Sequence, residues 1–214
     1  MRTIFAFAAI VIAAMLSVTA EAQPLTTTKY QYYSINGASA LEVYKSMLDN
    51  GPRVNGAKAY AATSAQTLPT GYAVDGQTCR AHNLKLKINF VIQLPQMTNE
   101  NRLPPLIRSK WQQFSEFVKK HEETHRSIWM GCAREFEARA ASLRSGDCES
   151  VDAEAAQLWN EIRMSCDRKH AAFDAAQQKV LVRHPFVKLV LGPSAPSKTI
   201  AAIDQRNTAA LAHY

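Results

Sequence analysis

The sequence predicts an α+β domain: a small, mostly antiparallel sheet with an N-terminal helix, packed on a long antiparallel helix hairpin. Three observations predict it. Leu84, Leu86, Ile88, Phe90, Ile92 and Leu94 alternate with Lys85, Lys87, Asn89, Val91 and Gln93, the period of a strand with one face on a core. Apolar residues then recur at steps of three and four, first at Trp111, Phe114, Val118, Ile128, Cys132 and Phe136, and again at Val151, Ala155, Leu158, Ile162, Cys166, Phe173 and Val180. Ser145-Gly146-Asp147 separates these two stretches by a short turn, which makes the helices antiparallel neighbours.

The elements follow in chain order. Residues 1–22 read as a signal peptide: Arg2, an apolar run from Ile4 to Val18, and a small-x-small site at Ala20-Glu21-Ala22. The run is short for a membrane span and no later segment approaches one, so the mature chain is expected to be exported, with no stable span after cleavage. A single domain is expected over 23–184. Tyr30 to Ile35 reads as a strand ending at the Asn36-Gly37 turn. Ser39 caps a helix from Ala40 to about Leu48, stopped by Gly51-Pro52. Ala57 to Ser64 is a weaker strand, and Leu68 to Gln77 is loop-like with a short strand around Tyr72 to Val74. Pro95 is expected to end the clear strand. The first long helix is expected over Pro105 to Arg144 and the second over Glu149 to Arg183, capped by Asp147 or Ser150. Pro185, Gly192, Pro193 and Pro196 mark 185–214 as a loosely ordered tail.

The net charge of +7 is spread over lysines and arginines with no basic tract of five or more, which excludes a nucleic-acid-binding reading. All four cysteines lie in the mature part, and none has C-x-x-C spacing, so disulfides are expected rather than a cysteine zinc site.

The chemistry gathers at His121-Glu122-Glu123-Thr124-His125, an H-E-x-x-H stretch inside the first long helix. A spacing of four puts both imidazoles on one helix face, where they can share a Zn²⁺ ion, and continuing the apolar count lands on both histidines. Two histidines on a core-facing seam cost folding free energy unless a partner satisfies them. Glu122 is then the candidate general base toward water. A third ligand must come from elsewhere. The position six residues past His125 is Gly131, and Glu135 and Glu137 lie on the same helix at about 15–18 Å, too far to reach one ion.

The hairpin serves as a ruler. With its centre at residue 149, Cys132 and Cys166 are equidistant and face each other, which predicts a Cys132–Cys166 bridge and leaves Cys79–Cys148 as the second. His125 faces residue 173, where Asp174 and His170 lie one turn apart. Asp174 is the first choice for third ligand and His170 the second; the unused one would orient a ligand or stabilise a developing oxyanion.

The HEETH helix, the strand ending in Leu94-Pro95, Trp111 and Phe114, Phe173-Asp174, the opening Tyr32-Tyr33-Ser34-Ile35-Asn36-Gly37 and Gly51-Pro52 together resemble the bacterial domain-of-unknown-function 922 family. That family is described as predicted secreted zinc-dependent proteases, and the resemblance covers roughly residues 30–180. It implies a zincin-like fold with His121, Glu122 and His125 as the metal-binding motif, and it matches Asp174 to an acidic position after an aromatic. The family's Thr and His-Gly after that pair have no match: Gln177, Lys179 and Val180 stand there.

Two functions compete. The first is an exported zinc metallopeptidase, periplasmic or secreted, acting on a polypeptide laid along the strand beside the metal helix. The second is a non-catalytic zinc-holding or partner-binding module of the same fold.

Overall fold

The computed structural model describes residues 24–192 apart from 55, 71–72, 76–77 and 82–83. The expected signal peptide, Tyr72, Gln77 and the tail beyond Gly192 lie outside the described residues.

The chain opens with strand β1 (Leu25–Ile35), five residues longer at its start than the Tyr30–Ile35 reading. Helix α1 (Ala40–Asn50) follows, its first turn capped by the Ser39 hydroxyl, which accepts from the Glu42 N–H. The Glu42 carboxylate in turn accepts from the N–H of Ala38, the residue before the cap. Gly51 ends the helix where a Cβ would collide with the carbonyl oxygens of Met47 and Ala59. A small ribbon, β2 (Arg53–Val54) and β3 (Ala57–Lys58), turns the chain back, and β4 (Ala62–Thr70) enters the main sheet. The expected strand over 57–64 is thus two elements, broken before Ala62. Short strands β5 (Ala73–Asp75) and β6 (Thr78–Arg80) come next.

The strong alternation becomes β7 (Lys85–Met97), with Leu86, Ile88, Phe90, Ile92 and Leu94 all buried. Pro95 does not end it. β7 continues two residues further, because beyond the Ala62–Gln93 pair it has a neighbour on one side alone, where a missing N–H is tolerated. The main sheet has order β1-β7-β4. It is mixed rather than mostly antiparallel: β1 runs parallel to β7 and β4 antiparallel. β7 is therefore the central strand, and over Lys87–Gln93 both its edges are paired.

Helix α2 (Pro105–Ala140) crosses the apolar face of this sheet. It ends four residues before Arg144, which instead opens the two-residue strand β8 (Arg144–Ser145), paired with β6. Helix α3 (Cys148–Leu181) returns along α2, its N-terminus capped by Asp147, whose carboxylate accepts from the Ser150 N–H at 2.7 Å. Residues 185–191, expected in a loose tail, form helix α4 (Pro185–Leu191). Pro185 suits the first helical position, and Phe186 and Val187 are buried against Trp111 and Phe114, so burial of two large side chains holds the segment down.

Both disulfides form as the ruler predicts: Cys132–Cys166 joins α2 to α3, and Cys79–Cys148 joins β6 to the start of α3. The core divides in two along α2. One cluster holds Trp129, Cys132 and Phe136 with Val151, Ile162 and Cys166; the other holds Trp111, Phe114 and Val118 with α1, α4 and Leu181. Between them the seam turns polar.

Candidate metal centre

On α2 the buried row runs Val118, Glu122, His125, Trp129, Cys132. It therefore passes through Glu122 rather than His121, correcting the expectation that both histidines lie on the buried stripe. His121 sits at the margin, its side chain 17 % exposed against 2 % for His125. On α3 the four-residue series Leu158, Ile162, Cys166 continues as His170 and Asp174, both buried. Phe173 is half-buried and Val180 exposed, so Leu181 takes the inward place expected for Val180.

His121, His125 and Asp174 meet across the seam, with ligand atoms all within 4.8 Å of one another. The two Nε2 atoms are 3.0 Å apart. Asp174 Oδ1 lies 3.2 Å from His121 Nε2 and 2.9 Å from His125 Nε2. Ligands at the Zn–N and Zn–O distances of a tetrahedral site stand about 3.3 Å apart, so this triangle is close to one face of such a site. The chemistry of the set fits the same ion: two imidazoles and one carboxylate suit zinc and leave a coordination position open.

Asp174 carries the strongest sign that something is held there. Both its carboxylate oxygens are buried; Oδ1 has only the two imidazole nitrogens beside it, and Oδ2 has no hydrogen-bond partner among the described residues. A buried acceptor left unsatisfied costs about 1–3 kcal/mol, more when charged. Burial pushes the Asp174 carboxyl up, but the two neighbouring imidazoles outweigh it and hold it below the ordinary carboxylate range. It stays an anion in the seam of two helices, where a cation would remove the cost.

His170, the second choice for third ligand, is not in the triangle. It stands behind His125, Nδ1 to Nδ1 at 2.7 Å. One of the two nitrogens donates and the other accepts. Burial, then the charge of His125, lower His170 to about 4, so it is neutral at pH 7. A neutral His170 with a bare Nδ1 accepts the Nδ1–H of His125 and leaves the Nε2 lone pair of His125 aimed at the triangle. Its ring packs against His125 and Trp129 inside the hairpin.

Glu122 is buried beside the triangle. The Thr63 hydroxyl on β4 donates to its Oε2 at 2.8 Å and approaches its backbone oxygen at 3.1 Å. Burial raises its pKa, against the lowering pull of His121 and His125. Such a carboxylate is a stronger base than a solvated one. Thr63 was not legible as a site residue: nothing local marks it, and it meets Glu122 across 59 positions of chain.

The expectation that the strand of Leu84 to Leu94 offers an edge to a ligand is overturned, since β7 is paired on both sides. The strand beside Glu122 is β4, and its other edge carries no strand among the described residues. The cleft at His121 is lined by Glu122, Asp174 and, from the segment just before β4, Tyr60 and Ala61.

A family model described as "Bacterial protein of unknown function (DUF922)" matches residues 30–180, which takes in the site residues of α2 and α3 and strands β4 and β7. No curated protein and no solved structure matches the chain.

Proposed function

The chain belongs to the DUF922 family of bacterial proteins of unknown function, and from that premise we propose that it is an exported zinc-dependent metallopeptidase. One observation carries the reading: a buried carboxylate and two imidazoles converge, with little else to satisfy them, beside a buried glutamate that immediately follows the first histidine. His121, His125 and Asp174 would hold the ion. Zinc bound there would supply Lewis acidity, lowering the pKa of a water toward about 7.

The remaining work falls to this chain's own groups. Thr63 fixes the Glu122 carboxylate through Oε2, leaving Oε1 to accept a proton. Glu122 takes one proton from the attacking water as the water oxygen bonds to the carbonyl carbon. It returns that proton to the nitrogen as the C–N bond breaks, giving a carboxylic acid and an amine. His170 keeps His125 in the required tautomer. The open edge of β4 would receive an extended polypeptide through backbone hydrogen bonds. Export is supported by two disulfides, which persist in oxidising compartments. No helix among the described residues is long and apolar enough to cross a membrane.

A second reading, a non-catalytic zinc-holding or partner-binding module, has one residue in its favour. Lys179 stands where the family resemblance expects a histidine, and it is exposed and outside the triangle. Metal analysis with a casein-type assay, with and without chelator, separates the two. Stoichiometric zinc with chelator-sensitive cleavage is expected; bound zinc without cleavage favours the module, and no bound metal removes both.

A further inference from the structure

A pocket of about 70 Å³ opens beside His121. One water needs roughly 10–15 Å³ of such space, so the pocket is wide enough for a branched or aromatic side chain. Ala59, Tyr60 and Ala61, just before β4, form one wall. Phe117 on α2 and Leu181 on α3 form the others, and the lining is mostly apolar. Its polar rim includes Gln178, whose Nε2 is buried and has no hydrogen-bond partner among the described residues. None of these features is required to hold a metal.

The position of the pocket along β4 gives it a direction. Thr63 binds Glu122, so the reacting carbonyl lies level with residue 63. The pocket lies level with residues 59–61, upstream on the same strand. Antiparallel pairing is the more stable mode for an added strand. A peptide antiparallel to β4 runs from Thr70 toward Ala62, so its residues after the scissile bond reach 59–61.

We propose that this pocket receives the side chain immediately after the scissile bond, and that the chain cuts on the amino side of large apolar residues such as Leu, Ile and Phe. This rests on the peptidase reading. Gln178 Nε2 donates to a backbone carbonyl of the same bound segment. Apolar walls reward each buried methylene, and a hydrophobic pocket discriminates by 10–200-fold for small size differences.

Two measurements on the zinc-loaded full chain test it. The first maps cut sites in reduced, alkylated casein by mass spectrometry. Leu, Ile or Phe should follow the cut at least tenfold more often than Gly or Asp. Ala59→Phe, which fills the pocket, should move the preference to Gly and Ala, and Phe117→Ala should admit Trp. Cuts without preference, or a preference unmoved in both variants, overturn the proposal. The second measures binding of hexapeptide pairs, Leu against Gly at the central position, to Glu122→Gln by calorimetry. Leu should bind at least tenfold tighter, and Gln178→Leu should weaken both peptides alike. Preferential binding without any cleavage by the unaltered chain keeps the pocket and defeats the peptidase reading. Cleavage without preference does the reverse, and neither binding nor cleavage defeats both.

Discussion

Two neighbouring stretches of the same helix pair differ sharply. Where Trp129 to Phe136 meets Val151 to Cys166, the seam is apolar and closed by the Cys132–Cys166 bridge. One or two turns along, where His121 to His125 meets His170 to Asp174, the same seam buries a carboxylate and two imidazole rings, with the half-buried ring of His121 at its margin. The backbone is equally regular in both. The difference teaches that the first stretch holds the hairpin together and the second is held by it. Stability and chemistry are therefore separable by mutation, and each prediction below breaks or sharpens that separation.

The largest effect is expected at Glu122. Glu122→Gln should lower kcat by about 10²–10⁴-fold, the span of general acid–base catalysis, while zinc content and melting temperature stay unchanged. Equal turnover in the variant would remove Glu122 from the mechanism.

The opposite outcome is expected from the stapled stretch. Replacing Cys132 and Cys166 together by Ala opens a loop with a separation of 34 residues. That should cost about 3–4 kcal/mol in denaturant unfolding, with kcat per bound zinc retained in the folded fraction. A selective loss of zinc in folded material would show that the two stretches are not separable.

The metal-free chain should show the strain of the polar layer as a pH dependence. Burial holds His170 neutral down to about 4, below its ordinary 6.5. The unfolded chain therefore takes up this proton first. Stability from a neutral His170 is full above pH 6.5 and is lost as pH falls toward about 4, by at most roughly 3 kcal/mol. Glu122 works in the other direction: its pKa is raised by burial, so protonation relieves a cost as pH falls. Asp174, held low, gives up its contribution only below the ordinary carboxylate range. Chemical unfolding of the metal-free chain against metal-free His170→Gln isolates the first effect. The unaltered chain should weaken more steeply between pH 6.5 and 4, and parallel curves would count against a neutral His170.

The smallest effect is expected on metal affinity through His125. His170→Phe removes the acceptor of the His125 Nδ1–H and should weaken zinc binding about 10–100-fold. His170→Gln, whose Oε1 can accept the same hydrogen bond, should recover part of it. Competition with a chromogenic chelator measures both.

Much of this was readable before any coordinates. Helical periodicity is local, so Trp111, Phe114 and Val118 reveal α2, and a spacing of four reveals the shared face of His121 and His125. Counting outward from the hairpin turn found both disulfides and Asp174, because two straight antiparallel helices keep register over a few turns. The same count holds further out. It set His125 against residue 173, and the His125 ring does meet Phe173, with His170 and Asp174 on either side. Strand order was not readable in this way. That β7 is central, that it runs through Pro95, and that β4 supplies Thr63 all depend on which strands lie alongside, which no period encodes.

From sequence alone came the inventory: two imidazoles and a carboxylate on one helix, an acid on the next, and cysteines spaced to pin them together. Tertiary structure alone decided how these are used. It set Asp174 against His121 and His125, stood His170 behind His125, buried Glu122 under Thr63, and folded α4 onto the core. The reason is physical. Periodicity follows from bonds along the chain, whereas desolvation and hydrogen-bond partners arise from groups that are remote in sequence and adjacent in space.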